Sequence, residues 1–183
     1  MPESPIEALS PVDGRYRAAC EPLRALLSEG GLIRERIRIE ALWLLHLSRA
    51  VPGLAGAGFS EAVRARAQAL AVEPGAGGAA EAVKAIEARI NHDVKAVEYY
   101  VREQLAAAGA NEATLELVHF GCTSEDINNL SYACLLGAAR TKMLETLGGL
   151  DRELTELAHR YADVPMLSRT HGQPASPTTL GKE

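Results

Sequence analysis

One segment of the chain combines several residues that are suited to acid–base chemistry. It reads Thr-His-Gly-Gln-Pro at residues 170–174, and it follows a proline-marked change in pattern. His171 lies beside Gly and joins no apolar stripe, so a place in the hydrophobic core explains it poorly. An imidazole titrates near neutral pH, which suits His171 to proton transfer. A surface histidine without function is the alternative.

A second polar segment, Asn91, His92 and Asp93, interrupts a helical pattern, and Lys95 follows one turn later. The start of a helix exposes unpaired backbone N–H groups and favours anions, and a flanking His and Lys would strengthen such a site. The alternative is a capping turn in which Asn91 and Asp93 only satisfy backbone groups. The residues alone do not decide between these two interpretations.

Thr123 and Ser124 precede two acidic residues at the start of a long helical pattern. Their hydroxyls and the free amides of a helix start could bind a carboxylate. Simple N-capping would use only one of the two hydroxyls and is the simpler interpretation of this segment alone.

Farther upstream, Arg15 and Tyr16 follow a turn and could bind an anion through paired hydrogen bonds. An exposed Arg beside a partly buried Tyr is the alternative there.

The remaining histidines and cysteines do not form a metal site by their spacing. His46 and His159 fall within helical patterns and His119 within an apolar stretch, so we interpret these three as structural. The three cysteines are odd in number and have no Cys-x-x-Cys spacing, which indicates reduced, partly buried thiols. The sequence therefore predicts no metal.

Composition restricts the class of protein. The chain of 183 residues is 47% hydrophobic and only 4% aromatic, a balance that favours packed helices over sheets. Its net charge of -5 argues against a nucleic-acid partner. No apolar run approaches the roughly 20 residues that span a bilayer, and the start has no signal-peptide pattern. We expect a soluble, cytoplasmic protein with no membrane partner.

Apolar spacing of three and four predicts an all-α fold with little or no sheet. We expect the chain to divide into an N-terminal helical domain over 1–110 and, over 111–183, the truncated start of a helical-bundle domain that opens with its first long helix. Gly30 and Gly31 are expected to end the first helix, and the residues after Pro165 to be extended and then looped. Residues 180–183 resemble the first turn of another helix. The predicted helices are 20–28, 32–50, 60–71, 80–90, 93–108 and 124–162.

Taken together, four motifs closely resemble the adenylosuccinate lyase family of the fumarase and aspartase superfamily. They are Ser-Pro-Val-Asp-Gly-Arg-Tyr at 10–16, Asn-His-Asp-Val-Lys-Ala-Val-Glu-Tyr at 91–99, Thr-Ser-Glu-Asp-Ile-Asn-Asn at 123–129, and Ser-Arg-Thr-His-Gly-Gln-Pro-Ala at 168–175. The Thr-Ser and Thr-His-Gly elements recur across the superfamily. The first two motifs point to the adenylosuccinate branch.

The resemblance implies a β-elimination that releases fumarate from adenylosuccinate to give AMP, and the equivalent cleavage of the succinyl-carboxamide ribotide in purine synthesis. It implies no cofactor, a nucleotide substrate and a homotetramer. Arg15 and Tyr16 would contact the nucleotide. Asn91, His92 and Asp93 would line the substrate pocket, and Thr123 and Ser124 would hold the succinyl carboxylate. His171 would be the general acid that protonates the departing nitrogen.

One element of the family pattern does not occur in these 183 residues. The family's general base is a serine on a mobile Ser-Ser-x-Met-Pro-x-Lys-x-Asn loop, and its sites combine segments of three subunits. We therefore expect this chain alone to be inactive. Two alternatives remain open at this point: another fumarate-releasing lyase of the superfamily, and a non-catalytic helical assembly module.

Overall fold

The computed structural model describes residues 6, 8–51, 53 and 59–183. Contacts divide the chain into two compact units, Met1–Ala139 and Arg140–Glu183. The domain division predicted at residue 110 stays a prediction. The elements are α1 (Arg17–Leu27), α2 (Glu29–Ala50), α3 (Glu61–Val72), α4 (Ala79–Ile90), α5 (Asp93–Ala107), α6 (Glu112–Leu115), α7 (Ser124–Arg160), β1 (Pro165–Thr170) and β2 (Gln173–Thr179).

The all-α prediction is confirmed, and a two-stranded sheet is added to it. Each of the six helices predicted from apolar spacing is present, with both ends within three residues of the predicted ones. The short α6 was not predicted, since four residues carry no helical period. Apolar spacing therefore located the long elements of the chain.

The core of the first unit forms where α2, α3, α4 and α5 pack together. Both α2 and α5 bury an apolar stripe, in which Ile37, Leu44, Val97 and Leu105 are fully buried. Burying one such side chain stabilises the fold by about 1.5–3 kcal/mol. These contacts set the start of α5 beside the middle of α2, which positions the polar residues described below.

Gly30 and Gly31 do not end α1, as the sequence had suggested, and lie instead in the first turn of α2. Ser28 is the N-cap of α2, and its hydroxyl accepts a hydrogen bond from the Gly31 amide at 3.1 Å. A Cβ atom on Gly31 would lie 2.4 Å from the carbonyl oxygen of Leu26. The glycine is therefore needed for the close passage of α1 over the start of α2, which composition alone does not reveal.

The second unit contains an antiparallel hairpin of β1 and β2 where an extended segment and a loop were predicted. The strands pair from Pro165 with Thr179 to Thr170 with Gln173. The loop is only the two residues His171 and Gly172, and both have positive φ, 50° and 77°. A type I′ hairpin turn requires positive φ at both positions. The prolines of β2 hid this strand from the sequence analysis, but edge strands tolerate proline.

Residues after β2 fold back onto the end of α7. The Gly181 amide donates a hydrogen bond to the Tyr161 carbonyl at 2.9 Å, and the Leu180 amide donates to Val164 at 2.9 Å. A Cβ atom on Gly181 would lie 2.1 Å from the Ala158 carbonyl oxygen. One helical turn is present at 180–183, as predicted, since the Glu183 amide donates a hydrogen bond to the Thr179 carbonyl at 3.3 Å. The missing side chain of Gly181 allows this turn to pass against α7.

The part of α7 in the second unit carries an exposed apolar stripe. The stripe residues have between 36% and 57% of their surface exposed, and they are Leu147, Leu150, Leu154, Leu157 and Tyr161. An apolar stripe of this spacing is typical of a helix that packs into a bundle.

Candidate active site

A buried arginine on α2 joins two of the predicted site segments. Arg36 is only 6% exposed, and its guanidinium lies 2.8 Å from Asp93 Oδ2 at the start of α5. Its Nε donates a hydrogen bond to Asn128 Oδ1, on the first turns of α7, at 2.9 Å. We call these three residues the Arg36 bridge. The bridge holds the Asn91–Asp93 segment and the start of α7 against the same face of α2.

Apolar contacts also join the three helices that the Arg36 bridge connects. Ile39, Val94 and Ile127 form a small buried cluster that joins α2, α5 and α7, and Cys122 packs against it. Burial raises the pKa of the Cys122 thiol to about 11, and the carboxylates of Glu40 and Asp126 add to this rise. The thiol therefore stays protonated at neutral pH and packs as a small apolar group, in agreement with the partly buried thiol that was predicted.

Asp93 is held as a carboxylate by its surroundings. Burial acts to raise the pKa of Asp93, but the Val94 amide and the Arg36 guanidinium outweigh burial and hold the pKa below its ordinary value of 3.8. The negative charge of Asp93 thus offsets the buried positive charge of Arg36. Asp93 serves the bridge and is not simply a capping residue of the turn.

The turn before α5 is capped by histidine. Asn91 ends α4 in a left-handed conformation, with φ 53°. His92 is the N-cap of α5, and its Nδ1 accepts a hydrogen bond from the Lys95 amide at 3.1 Å. Because Nδ1 accepts here, the neutral ring carries its proton on Nε2. The Nε2–H of this half-exposed side chain is thus the group that a ligand could contact.

Lys95, which the sequence had suggested as a flanking cation for an anion site, is engaged by a carboxylate. Its ammonium lies 2.8 and 2.9 Å from the two carboxylate oxygens of Glu98, which is nearly buried. Arg102, four residues after Glu98, approaches the same carboxylate at 4.0 Å. The positive charge of Lys95 is therefore largely neutralised within α5.

The start of α7 is capped by Asp126 and not by the Thr123 or Ser124 hydroxyl. The Thr123 amide donates a hydrogen bond to Asp126 Oδ2 at 2.7 Å, and the Asp126 amide donates to the Thr123 carbonyl at 3.1 Å. Among the described residues, neither hydroxyl has a hydrogen-bond partner. The capping alternative therefore does not account for the two hydroxyls.

Two further residues of this region were not predicted as site residues. Glu40, one turn after Arg36 on α2, is fully buried, and its Oε1 lies 2.5 Å from His119 Nδ1. His119 belongs to the turn that precedes Thr123. A signal was present in the sequence, because Arg36 and Glu40 are four residues apart and both interrupt the apolar stripe of α2.

Arg15 and Tyr16 lie beside each other at the start of α1. The Arg15 guanidinium carbon is 5.6 Å from the centre of the Tyr16 ring, a distance typical of a cation–π contact. The Tyr16 amide donates to the Pro11 carbonyl at 2.8 Å, which fixes the turn. No contact found among the described residues joins Arg15 or Tyr16 to the Arg36 bridge.

His171 belongs to the second unit, at the tip of the hairpin. Its left-handed backbone conformation costs about 1–3 kcal/mol in a residue other than glycine. The turn type of the hairpin enforces this conformation, and the side chain is exposed. The hairpin therefore presents an ionisable ring on a short, well-defined turn.

Over the part of the chain that the structure describes, no group of three or more His, Cys, Asp or Glu residues could hold a metal ion. In the same part, no helix combines the length and the apolar composition that crossing a membrane requires.

Comparison with known proteins gives matches along the whole chain. A family model described as Lyase matches residues 14–183. Adenylosuccinate lyase of Haemophilus influenzae (strain ATCC 51907 / DSM 11121 / KW20 / Rd) is 44% identical over 184 residues, which cover 100% of this chain and 40% of the relative. The Escherichia coli (strain K12) adenylosuccinate lyase is 43% identical over 199 residues, with the same coverage.

A solved structure shares the fold. The fumarate lyase from Mesorhizobium sp. BNC1 superposes with a TM-score of 0.66 at 24% identity, over 88% of this chain and 35% of that chain. At this identity the likeness concerns the fold alone. The chain thus spans about 40% of the length of the curated relatives that it matches.

Proposed function

Because the chain belongs to the lyase family whose model matches residues 14–183, we propose that it carries part of the active site of an adenylosuccinate lyase. The Arg36 bridge is the observation that supports this proposal most directly, since it brings two of the four lyase-like motifs together. The identity of 43–44% to adenylosuccinate lyases along the whole chain supports the choice of substrate.

The proposed reaction is the β-elimination of fumarate from adenylosuccinate, which leaves AMP. A base removes the proton from the carbon beside a succinyl carboxylate, the carbon–nitrogen bond breaks, and the departing nitrogen takes up a proton. Negative charge builds on that carboxylate in the transition state. Hydrogen-bond donors placed there stabilise the transition state more than the ground state and so accelerate the reaction. No residue of this chain is assigned as the base.

The proposed roles follow from this chemistry. Thr123 and Ser124 donate their free hydroxyls to the succinyl carboxylate. Asn91, His92 and Asp93 line the substrate pocket, where the Nε2–H of His92 is the available donor and Asp93 acts through the Arg36 bridge. In addition, Arg15 and Tyr16 bind the nucleotide, and His171 is the general acid for the leaving nitrogen.

The same proposal places the protein in purine and AMP biosynthesis in the cytoplasm, where it would also cleave the succinyl-carboxamide ribotide without a cofactor. The exposed apolar stripe of α7 supports a homotetramer, because association of copies would bury it. The substrate is a small anionic nucleotide, and neither nucleic acid nor a membrane is proposed as a partner.

A comparison of substrates tests the activity. A protein of the relatives' full length that contains these residues should release fumarate from adenylosuccinate, with a kcat of the order of 10 per second. It should turn over argininosuccinate, malate and aspartate far more slowly. Faster turnover of one of those three would assign the protein to another fumarate-releasing lyase. Turnover of none of the four would favour a non-catalytic assembly role.

A second test concerns the hydroxyls at the start of α7. Replacing both Thr123 and Ser124 by Ala should raise KM or lower kcat for adenylosuccinate and leave the melting temperature almost unchanged, because neither hydroxyl caps the helix. Asp126→Ala is the matched control: it removes the observed cap and should cost about 1 kcal/mol of stability. A double Ala variant with a lowered melting temperature and unaltered kinetics would contradict the carboxylate-binding role.

A further inference from the structure

The segment between α6 and α7, residues 116–123, leads directly to the two hydroxyls that are proposed to bind the succinyl carboxylate. We call it the α6–α7 segment. Its backbone is irregular, and Phe120 lies between two left-handed residues, His119 with φ 62° and Gly121 with φ 72°. A residue other than glycine keeps such a conformation only where the surrounding contacts enforce it. The position of Thr123 therefore depends on what holds this segment in place.

Side-chain packing holds the two ends of the α6–α7 segment but not its middle. Leu117 and Val118 are buried in the core, and Cys122 packs against the small cluster of α2, α5 and α7 described above. Between these points, the Phe120 side chain is 51% exposed and Gly121 has no side chain. The Phe120 amide donates to the Leu117 carbonyl at 3.2 Å, which is a contact within the segment. Another element of the fold must therefore fix the middle.

Trp43 on α2 supplies the contact to the middle of the segment. Its indole Nε1 donates a hydrogen bond to the Phe120 carbonyl at 2.8 Å, although the two residues are 77 positions apart. The ring of His46, one turn later on α2, stacks on the indole with 5.6 Å between the ring centroids and 19° between the ring planes. The indole also lines a small cavity together with Gly121 and Asp126, whose carboxylate caps α7. One ring thus joins α2 to the backbone just before the proposed carboxylate site.

We propose that Trp43 is a positioning residue for the lyase reaction. By holding the Phe120 carbonyl, its indole N–H sets the placement of the hydroxyls of Thr123 and Ser124. Thr123 follows Phe120 by three residues, and its amide is held by Asp126 at 2.7 Å, so this short stretch of backbone is fixed at each end. Without the indole donor, the Phe120 carbonyl turns to water and the hydroxyls lose the fixed geometry on which stabilisation of the transition state depends. The substrate part of this inference rests on the proposed lyase function.

Hydrogen–deuterium exchange of the 183-residue chain tests the contact without reference to catalysis. Trp43→Phe keeps an aromatic ring and removes the N–H donor. The amides of Cys122 and Thr123 should then exchange about fivefold faster, the factor that corresponds to a hydrogen bond of about 1 kcal/mol. His46→Gln is the matched control: it removes the stacked ring and leaves the indole donor in place, so its effect should be smaller. Unchanged exchange in Trp43→Phe, or an equal effect of both variants, would overturn the proposal.

The unsubstituted chain gives a second measurement, which decides the case if Trp43→Phe does not fold. Trp43 is the only tryptophan among the 183 residues, so its NMR spectrum contains one indole N–H signal. That proton should exchange with solvent at least about fivefold more slowly than the indole proton of free tryptophan. Exchange at the rate of free tryptophan would show that the hydrogen bond to Phe120 does not persist in solution, and the proposal would fail.

Kinetics of the full-length enzyme test the link to the two hydroxyls. Trp43→Phe should lower kcat/KM for adenylosuccinate about fivefold in the parent enzyme. In the variant that already carries Thr123→Ala and Ser124→Ala, the same change should lower kcat/KM by less than about twofold, because residues that act through one another have non-additive effects. A fivefold loss in both backgrounds would refute the link, since Trp43 would then act independently of the hydroxyls.

Val83→Ala controls for a loss of stability alone, since it removes buried methyl groups on α4, which carries no proposed site residue. Its kcat/KM should stay within about twofold of the parent. An equal loss in Val83→Ala would attribute the effect of Trp43→Phe to stability and overturn the proposal. A parent enzyme inactive on adenylosuccinate would refute the proposed function instead, while the exchange measurements still decide on the Trp43 contact.

Discussion

His171→Ala should lower the kcat of the full-length enzyme for adenylosuccinate by roughly two orders of magnitude or more, the usual scale for loss of an acid–base group. Without a proton from His171, the nitrogen would have to depart unprotonated, and an unprotonated nitrogen is a much poorer leaving group. Substrate should still bind, because its other proposed contacts lie elsewhere. The steady-state kcat and KM, with a single-turnover measurement of the chemical step, give the result.

Two variants make this experiment specific. His171→Asn removes the ionisable ring but tolerates the left-handed backbone of the hairpin turn, so it should reproduce the loss of kcat without disturbing the turn. His159→Ala removes another exposed histidine of the same unit and should keep kcat within about twofold, as surface substitutions usually do. A near-normal kcat in both His171 variants would show that another group is the acid.

Arg36→Met should weaken the fold and impair substrate binding together. It breaks the Arg36 bridge, so that Asp93 loses its buried cation and Asn128 loses a charged donor. We expect a loss of about 2–3 kcal/mol in the free energy of unfolding, the scale for hydrogen bonds to a charged group, reduced because Asp93 is half-exposed. KM should rise because the starts of α5 and α7 are no longer joined. Chemical denaturation and steady-state kinetics measure the two effects.

The loss of unfolding free energy in Arg36→Met should depend on pH, and its direction follows from the pKa of Asp93. The pKa of Asp93 is held below 3.8 in the folded protein, so its stabilising contribution is present above 3.8 and is lost as pH falls through the lowered value. The stability difference between Arg36→Met and the parent should therefore shrink in acid. Arg38→Met is the control, since Arg38 pairs locally with Glu35 and its neighbour on α7 is the Cys134 thiol, which is not a member of the Arg36 bridge. An equal effect of both variants on KM would rule out a specific role for the bridge.

The features that could be predicted from the sequence are those with a local cause. Helix positions followed from apolar spacing, because the period of a helix is set by the backbone over a few residues. The four motifs could be recognised as lyase-like because they are contiguous. The hairpin was not predicted, because its turn depends on the left-handed backbone of His171 and Gly172. In addition, Pro174 and Pro177 are residues that usually argue against a β-strand.

The contacts that assemble the candidate site have no local cause. Arg36 and Asn128 are separated by 92 positions, and Glu40 and His119 by 79. Nothing near His119 indicates a buried carboxylate, so it was interpreted as structural, and its contact with Glu40 became visible only in the fold. Likewise, the local pattern suggested hydroxyl capping at Thr123 and Ser124, but Asp126 provides the cap.

By itself, the amino-acid sequence determined the helices, the apolar faces that bury them and the motifs that mark a lyase. Only the tertiary structure decided which polar side chains meet: Arg36 with Asp93 and Asn128, and Glu40 with His119. The physical reason is that burying an ionised group is favourable only when a partner compensates for its lost hydration. That partner is supplied by whichever element the packing of the core brings alongside, however distant it is along the chain.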